Sequence, residues 1–265
     1  MNKKIIMVVI LMAALLVPLW TQTEANFRVT LTDDSQGAVI TGYTGTVMAV
    51  RIPATIQGMP VREIGNRAFA SSRITSVVIP QGVTIIREGA FYGCTQLNSV
   101  TFPSSLLQIE GSGQYGWGAF QNCTSLTSVT IPAGLTIIES GTFWGCTSLT
   151  SITIPAGIIA IEFWAFLDCT RLASVTFPQS LTEIGNGAFS GCTSLRSVTF
   201  PAGISAIGYG AFSNCTSLTT VTIPDTVSQI TFGLGTVYMM NVFDGSNLNL
   251  ASQAALRRRG YEGDF

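Results

Sequence analysis

The chain has 265 residues, of which 10% are charged and 47% apolar, with 13 Lys and Arg set against 14 Asp and Glu. A chain so apolar and so nearly neutral is not a disordered one, and it carries no basic footprint for nucleic acid. It has no histidine, which excludes Ser-His-Asp and Cys-His catalysis and every metal site that needs imidazole.

Residues 1–25 read as an export signal. Lys3 and Lys4 make a positive start, Ile5 to Leu16 is an unbroken apolar run, Pro18 closes it, and Thr23-Glu24-Ala25 supplies small residues before a cut expected ahead of Asn26. The apolar run is short of the ~20 residues that span a bilayer, and no later run is longer. After signal cleavage, therefore, no membrane span is expected. The destination is secretion or the cell surface, with the periplasm as the alternative.

From there the sequence repeats. Ala-Phe pairs stand at Ala68-Phe69, Ala90-Phe91, Ala119-Phe120, Ala165-Phe166, Ala188-Phe189 and Ala211-Phe212, with Thr142-Phe143 in the remaining slot. The phenylalanines lie 22, 29, 23, 23, 23 and 23 residues apart. A second marker keeps step: Ser-Val-Val-Ile-Pro at 76–80, Ser-Val-Thr-Phe-Pro at 99–103, and five further versions ending with Thr-Val-Thr-Ile-Pro at 220–224. Two markers sharing one period define a repeat architecture. The single long spacing is a six-residue insertion, placed at 111–116.

Within one unit, Val129 and Ile131 alternate with Ser128 and Thr130, the period of a strand, and Pro132 ends it. Leu135-Thr-Ile-Ile138 is a second short extended run, followed by a glycine-containing helical or 3₁₀ turn to the phenylalanine. One such unit buries too little to order itself, so the units must stack, with neighbouring strands pairing in parallel. The fold expected is a repeat solenoid with a parallel β-sheet on one face and short extended or 3₁₀ turns on the other.

All six cysteines, Cys94, Cys123, Cys146, Cys169, Cys192 and Cys215, follow the repeat phenylalanine by three residues. Equivalent positions in stacked strands are one strand spacing apart, slightly long for a disulfide, and the expectation is a structural ladder of buried free thiols.

The unit Cys-Thr-Ser-Leu-Thr-Ser-Val-Thr-Ile-Pro-Ala-Gly-Leu-Thr-Ile-Ile-Glu-Ser-Gly-Thr-Phe-Trp-Gly, residues 123–145, resembles the repeat of the BspA-like, or treponemal-type, leucine-rich repeat surface proteins. The resemblance runs over about 60–246 and implies a leucine-rich-repeat arc. Residues 26–60 are expected to cap the array of 23-residue units at 61–246, and 247–265 to close its other end with a short helix. Arg257 to Arg259 lie in that helix's last turn, read as a solvated cap. The resemblance also implies a bacterial secreted or surface protein acting as an adhesin for host matrix or other cell-surface proteins. A non-catalytic structural envelope protein is the alternative, and a low-specificity hydrolase the outsider. No cofactor and no metal are expected.

Two surfaces compete for a ligand, a protein first and a glycan second. On the turn side, Tyr115, Trp117, Trp144, Phe163 and Trp164 occupy positions that are usually small or polar in the resembling family, and aromatic anchors dominate binding patches. Equally, these rings could fold back over the edge of the core. On the strand face, Thr130, Thr153, Thr176, Arg196 and Thr199 belong to columns of hydroxyls that are also ordinary soluble strand residues. Glu110, Glu139 and Glu162 follow the same repeat isoleucine in consecutive units, either solvated or accepting turn N–H groups, with a divalent cation as the alternative.

Overall fold

A computed structural model describes residues 23–111, 117–233 and 241–265. The leader thus lies almost wholly outside the described residues, as does Tyr115.

The chain winds as a parallel β-solenoid of about eight turns. It opens with an antiparallel hairpin, Phe27–Leu31 against Ala38–Tyr43. The second of these strands then pairs in parallel with Met59–Ile64, which starts the stack. Later coils carry two short strands, save the one holding Ser128-Val129-Thr130, which carries one, and their buried apolar side chains merge into one core.

The phenylalanine column is the axis of that core. Phe69, Phe91, Phe120, Phe143, Phe166, Phe189, Phe212 and Phe243 stack face to face, with centroids 5.0 to 5.7 Å apart and planes within 14°. Every ring is fully buried. Tyr43 stacks on the first ring at 5.4 Å, and Tyr261 meets the last edge-on at 5.4 Å. Each end of the column thus meets an aromatic ring rather than water.

The two strand faces differ from the single continuous sheet expected. On the Ser-Val-Thr face the ladder is cut into three pieces: Ala49–Arg51 with Ser76–Val78 and Ser99–Thr101, then Ser151–Thr153 with Ser174–Thr176, then Ser197–Thr199 with Thr220–Thr222. Ser128-Val129-Thr130 joins none of them. The second short run forms the more continuous sheet. It runs unbroken from Ile137–Ile138 through Ala160–Ile161, Glu183–Ile184 and Ala206–Ile207 to Thr231–Phe232. Its one break, between Gln108–Ile109 and Ile137–Ile138, falls in the coil interval that carries the insertion.

The turn side holds the stack together across that interval. The phenylalanine N–H of each coil donates to the next coil's carbonyl, from Phe69 N to Ala90 O at 2.8 Å through to Phe212 N to Val242 O at 2.8 Å. The expected helical or 3₁₀ turn is a chain of single i to i+3 turns joined by left-handed residues. Two places after each phenylalanine, Ser71, Gly93, Asn122, Gly145, Asp168, Gly191, Asn214 and Gly245 all have φ between 55° and 73°.

The helix closing the far end spans Leu250–Arg257, with the Asn249 side chain accepting from Ser252 N at 2.9 Å. Of the three arginines expected as a solvated cap, Arg257 and Arg258 are exposed but Arg259 is not. Arg259 is 8% exposed. It donates to the carbonyls of Val227, Pro224 and Ile223 in the last coil and to Ala255 of the helix. Arg257 lies over the Tyr261 and Phe265 rings. Open-ended coils leave carbonyls with no next rung, and a five-donor guanidinium satisfies them.

Candidate functional site

The turn side brings the predicted aromatic residues into two groups rather than one. Trp117, 37% exposed, packs its ring against Tyr92 with centroids 4.3 Å apart, and the Arg67 guanidinium lies over it at 5.1 Å. Further along, Trp144 and Trp164 meet at 5.5 Å, and Phe163 lies 3.9 Å from Trp164. All three are half-buried. They lie neither in the core nor free in solvent.

Their backbone is fixed by the turn ladder. Gly89 N donates to Trp117 O at 2.9 Å, Asn122 N to Trp144 O at 2.7 Å, and Gly141 N to Phe163 O at 2.9 Å. A patch on this side is therefore mounted on paired backbone, the condition for a pre-organised contact surface.

Trp164 departs from its column. The residue before each Ala-Phe pair is left-handed at Gly89, Gly141, Gly187 and Gly210, with φ between 57° and 66°. Trp164 takes the same conformation with φ 56°, and Arg67 with φ 55°. A side chain there costs about 1–2 kcal/mol that glycine does not incur. Arg67 is the partner that sequence reasoning missed. The available signal was that it shares this glycine position with Trp164.

Beside the second group lies a hollow of about 290 Å³, bordered by Ser140, Glu162, Phe163, Glu183 and Asn186. Glu162 accepts from Ser140 Oγ at 3.0 Å. Among the described residues no cation borders this hollow. The other two carboxylates of the row are engaged elsewhere. Arg87 bridges Glu63 and Glu110, each at 2.8 Å, while Glu139 accepts from Gln108 Nε2 at 2.9 Å and Gly111 N at 3.0 Å.

On the strand face Thr130, Thr153, Thr176, Arg196 and Thr199 are all exposed. The cuts in the ladder divide them, so they do not form one regular array. The six cysteines are free and buried. Each Sγ donates to the carbonyl of the preceding coil's phenylalanine, from Cys94 to Phe69 O at 3.0 Å to Cys215 to Phe189 O at 3.2 Å. Burial raises all six thiol pKa values, Cys146 and Cys215 to about 12. These thiols are hydrogen-bonded core groups, not poised nucleophiles.

The BspA type leucine rich repeat region matches residues 62–116 and 114–234 in six copies. The chain belongs to this leucine-rich repeat family. Among solved structures, this BspA-type chain is similar to the leucine rich repeat protein of T. pallidum. That pair is 30% identical over 92% of this chain and 98% of the other, with a TM-score of 0.64. A leucine rich cell surface protein from Faecalibacterium prausnitzii is 29% identical over 80% of this chain and 72% of its own, with a TM-score of 0.52. No curated protein matches the chain. Among the described residues of this BspA-type protein, no helix is long and apolar enough to cross a membrane.

Proposed function

We propose that the protein is an exported, non-catalytic binding module that presents its turn-side aromatic patch to a protein partner at a cell or matrix surface. Residues 1–25 direct export, 26–60 and 247–265 cap the ends, and 61–246 carry the patch. Trp117, Trp144, Phe163 and Trp164 are the contact residues, with Tyr115 added from its sequence position. The observation that supports this reading is Trp164. The fold uses glycine at that place in five coils, left-handed in four of them, so neither the turn nor the core requires an indole there. Backbone strain retained at one position points to a role for the side chain that introduces it. The patch also lies on the side where the backbone ladder is continuous, whereas the strand-face columns are interrupted.

The test is capture of matrix proteins and intact bacterial cells by the immobilised full chain, compared with Trp164→Gly and with a strand-face variant, Thr153→Glu with Thr176→Glu. Loss of capture in the first alone supports the patch. Loss in the strand-face variant alone moves the site to the threonine columns, and capture by none of the three overturns a binding role toward these partners.

A further inference from the structure

The two aromatic groups are alike in construction and differ in one respect. The first, Trp117 with Tyr92, already has a cation: the Arg67 guanidinium over the indole at 5.1 Å. The second, Trp144 with Trp164 and Phe163, has none among the described residues. From Glu88 to Thr170 the sequence holds no Lys or Arg, yet it includes Glu88, Glu110, Glu139, Glu162 and Asp168. Of these acids, Glu110 is neutralised by Arg87. Glu162 and Glu183 border the hollow beside Phe163, and the Glu183 carboxylate has no hydrogen-bond or ion-pair partner among the described residues.

We propose that the hollow beside Phe163 and Trp164 receives a guanidinium from a basic segment of the partner protein. This rests on the turn-side patch being the binding surface and names the chemistry it reads. Three requirements of a guanidinium are met together. The Phe163 ring, which borders the hollow, and the Trp164 ring 3.9 Å from it offer faces of negative quadrupole, which attract a cation held above them. Glu162 and Glu183 supply acceptors for its N–H groups, and charge-assisted bonds of this kind are the strong ones. Ser140 and Asn186 line the same hollow, and the Ser140 hydroxyl, which donates to Glu162, keeps lone pairs to accept a further N–H. Arginine fits better than lysine, because its planar fork both stacks on a ring and bonds a carboxylate bidentately. The chain itself shows the arrangement in cis, where Arg67 uses the left-handed turn position to reach Trp117.

The experiment measures binding of an octa-arginine peptide to the immobilised full chain by surface plasmon resonance, with an octa-citrulline peptide as the neutral control of equal shape. Variants are Glu162→Gln with Glu183→Gln, Trp164→Gly, and Glu262→Gln as a remote charge control, each first checked for an unchanged melting temperature. The arginine peptide is expected to bind and the citrulline peptide to fail. The double Gln variant and Trp164→Gly should each weaken binding about tenfold or more, with Glu262→Gln unchanged. Absence of arginine-peptide binding, or equal binding by the double Gln variant, overturns the proposal. Cell-surface capture separates the two readings. Capture lost in Trp164→Gly but kept in the double Gln variant upholds the patch and overturns the guanidinium. Capture kept in both overturns the patch itself. Binding of a neutral oligosaccharide that Trp164→Gly abolishes and the double Gln variant leaves intact also overturns the guanidinium, in favour of a sugar.

Discussion

The indole of Trp164 lies over Gly187 of the next coil, its Cδ1 2.5 Å from where a Cβ on that glycine would stand. The two residues occupy the same left-handed position one repeat apart. The tryptophan is tolerated because the residue above it has no side chain, and any larger residue at 187 would displace the ring.

This pairing makes Trp164→Gly informative for stability. Glycine relieves about 1–2 kcal/mol of left-handed strain. Loss of a half-buried indole forfeits a similar amount of apolar burial. The expected change is within about 1 kcal/mol of zero, read from the urea midpoint with the slope unchanged. A loss of several kcal/mol would mean that the ring belongs to the core.

The stacked phenylalanines give the opposite expectation. Phe166 touches Phe143 and Phe189 at 5.5 and 5.1 Å and is fully buried. Phe166→Ala should cost about 3–5 kcal/mol, because neighbours tied by the turn ladder cannot close the cavity. Ser174→Ala, on an exposed strand position, should cost under about 0.5 kcal/mol. Equal losses would place the core elsewhere.

The repeat, the phenylalanine column and the cysteine column were readable from sequence because burial imposes one residue type on every coil. The cuts in the strand ladder were not. Ser128-Val129-Thr130 is unpaired and Ser197-Val198-Thr199 is paired, yet the two triplets are identical. Pairing there depends on how closely two coils approach, which a local sequence does not encode. Arg259 shows the same limit. Three consecutive arginines look equivalent, and only the position of the cap against Ile223, Pro224 and Val227 aims one of them at open carbonyls. The split of Trp117, Trp144, Phe163 and Trp164 into two groups was not legible either, because it depends on Arg67 and Tyr92, which read as ordinary surface residues. One further pattern is legible in the sequence. The left-handed column alternates Ser71, Gly93, Asn122, Gly145, Asp168, Gly191, Asn214, Gly245, and each side chain lies over the next coil's glycine.

Ser246 is where the cysteine column ends. It follows Phe243 by three residues, is buried, and its hydroxyl has no hydrogen-bond partner among the described residues. In the coils before it the sulfur reaches the preceding phenylalanine carbonyl, and Phe212 O is the equivalent acceptor here. The longer C–S bond carries the donor further than a hydroxyl. Ser246→Cys should therefore raise stability by about 1 kcal/mol, in the range for relieving an unsatisfied buried group. Ser246→Ala should be neutral or slightly stabilising, since no bond is lost. A destabilised alanine variant in chemical denaturation would show that the hydroxyl is paired after all.

The thiol column also fixes how the fold responds to alkali. All six thiols have pKa values raised by burial, to about 12 at Cys146 and Cys215, while an unfolded thiol ionises near pH 8.5. Between those values the unfolded chain has lost protons that the folded chain retains, so stability falls as pH rises. Below about pH 8 the contribution is complete, and it disappears progressively toward pH 12. Each thiol costs up to about 1.4 kcal/mol per pH unit in that window. Six acting together should drive cooperative unfolding within about one to two units above pH 9. Circular dichroism against pH, with thiolate absorbance as the parallel readout, should show both changes at one midpoint. Replacing Cys146 and Cys169 by Ala should shift that midpoint upward even though it removes two buried sulfurs. An unchanged midpoint would mean that the thiols do not set the alkaline limit, and a thiol titre of zero on the denatured, unreduced chain would mean that they are not free.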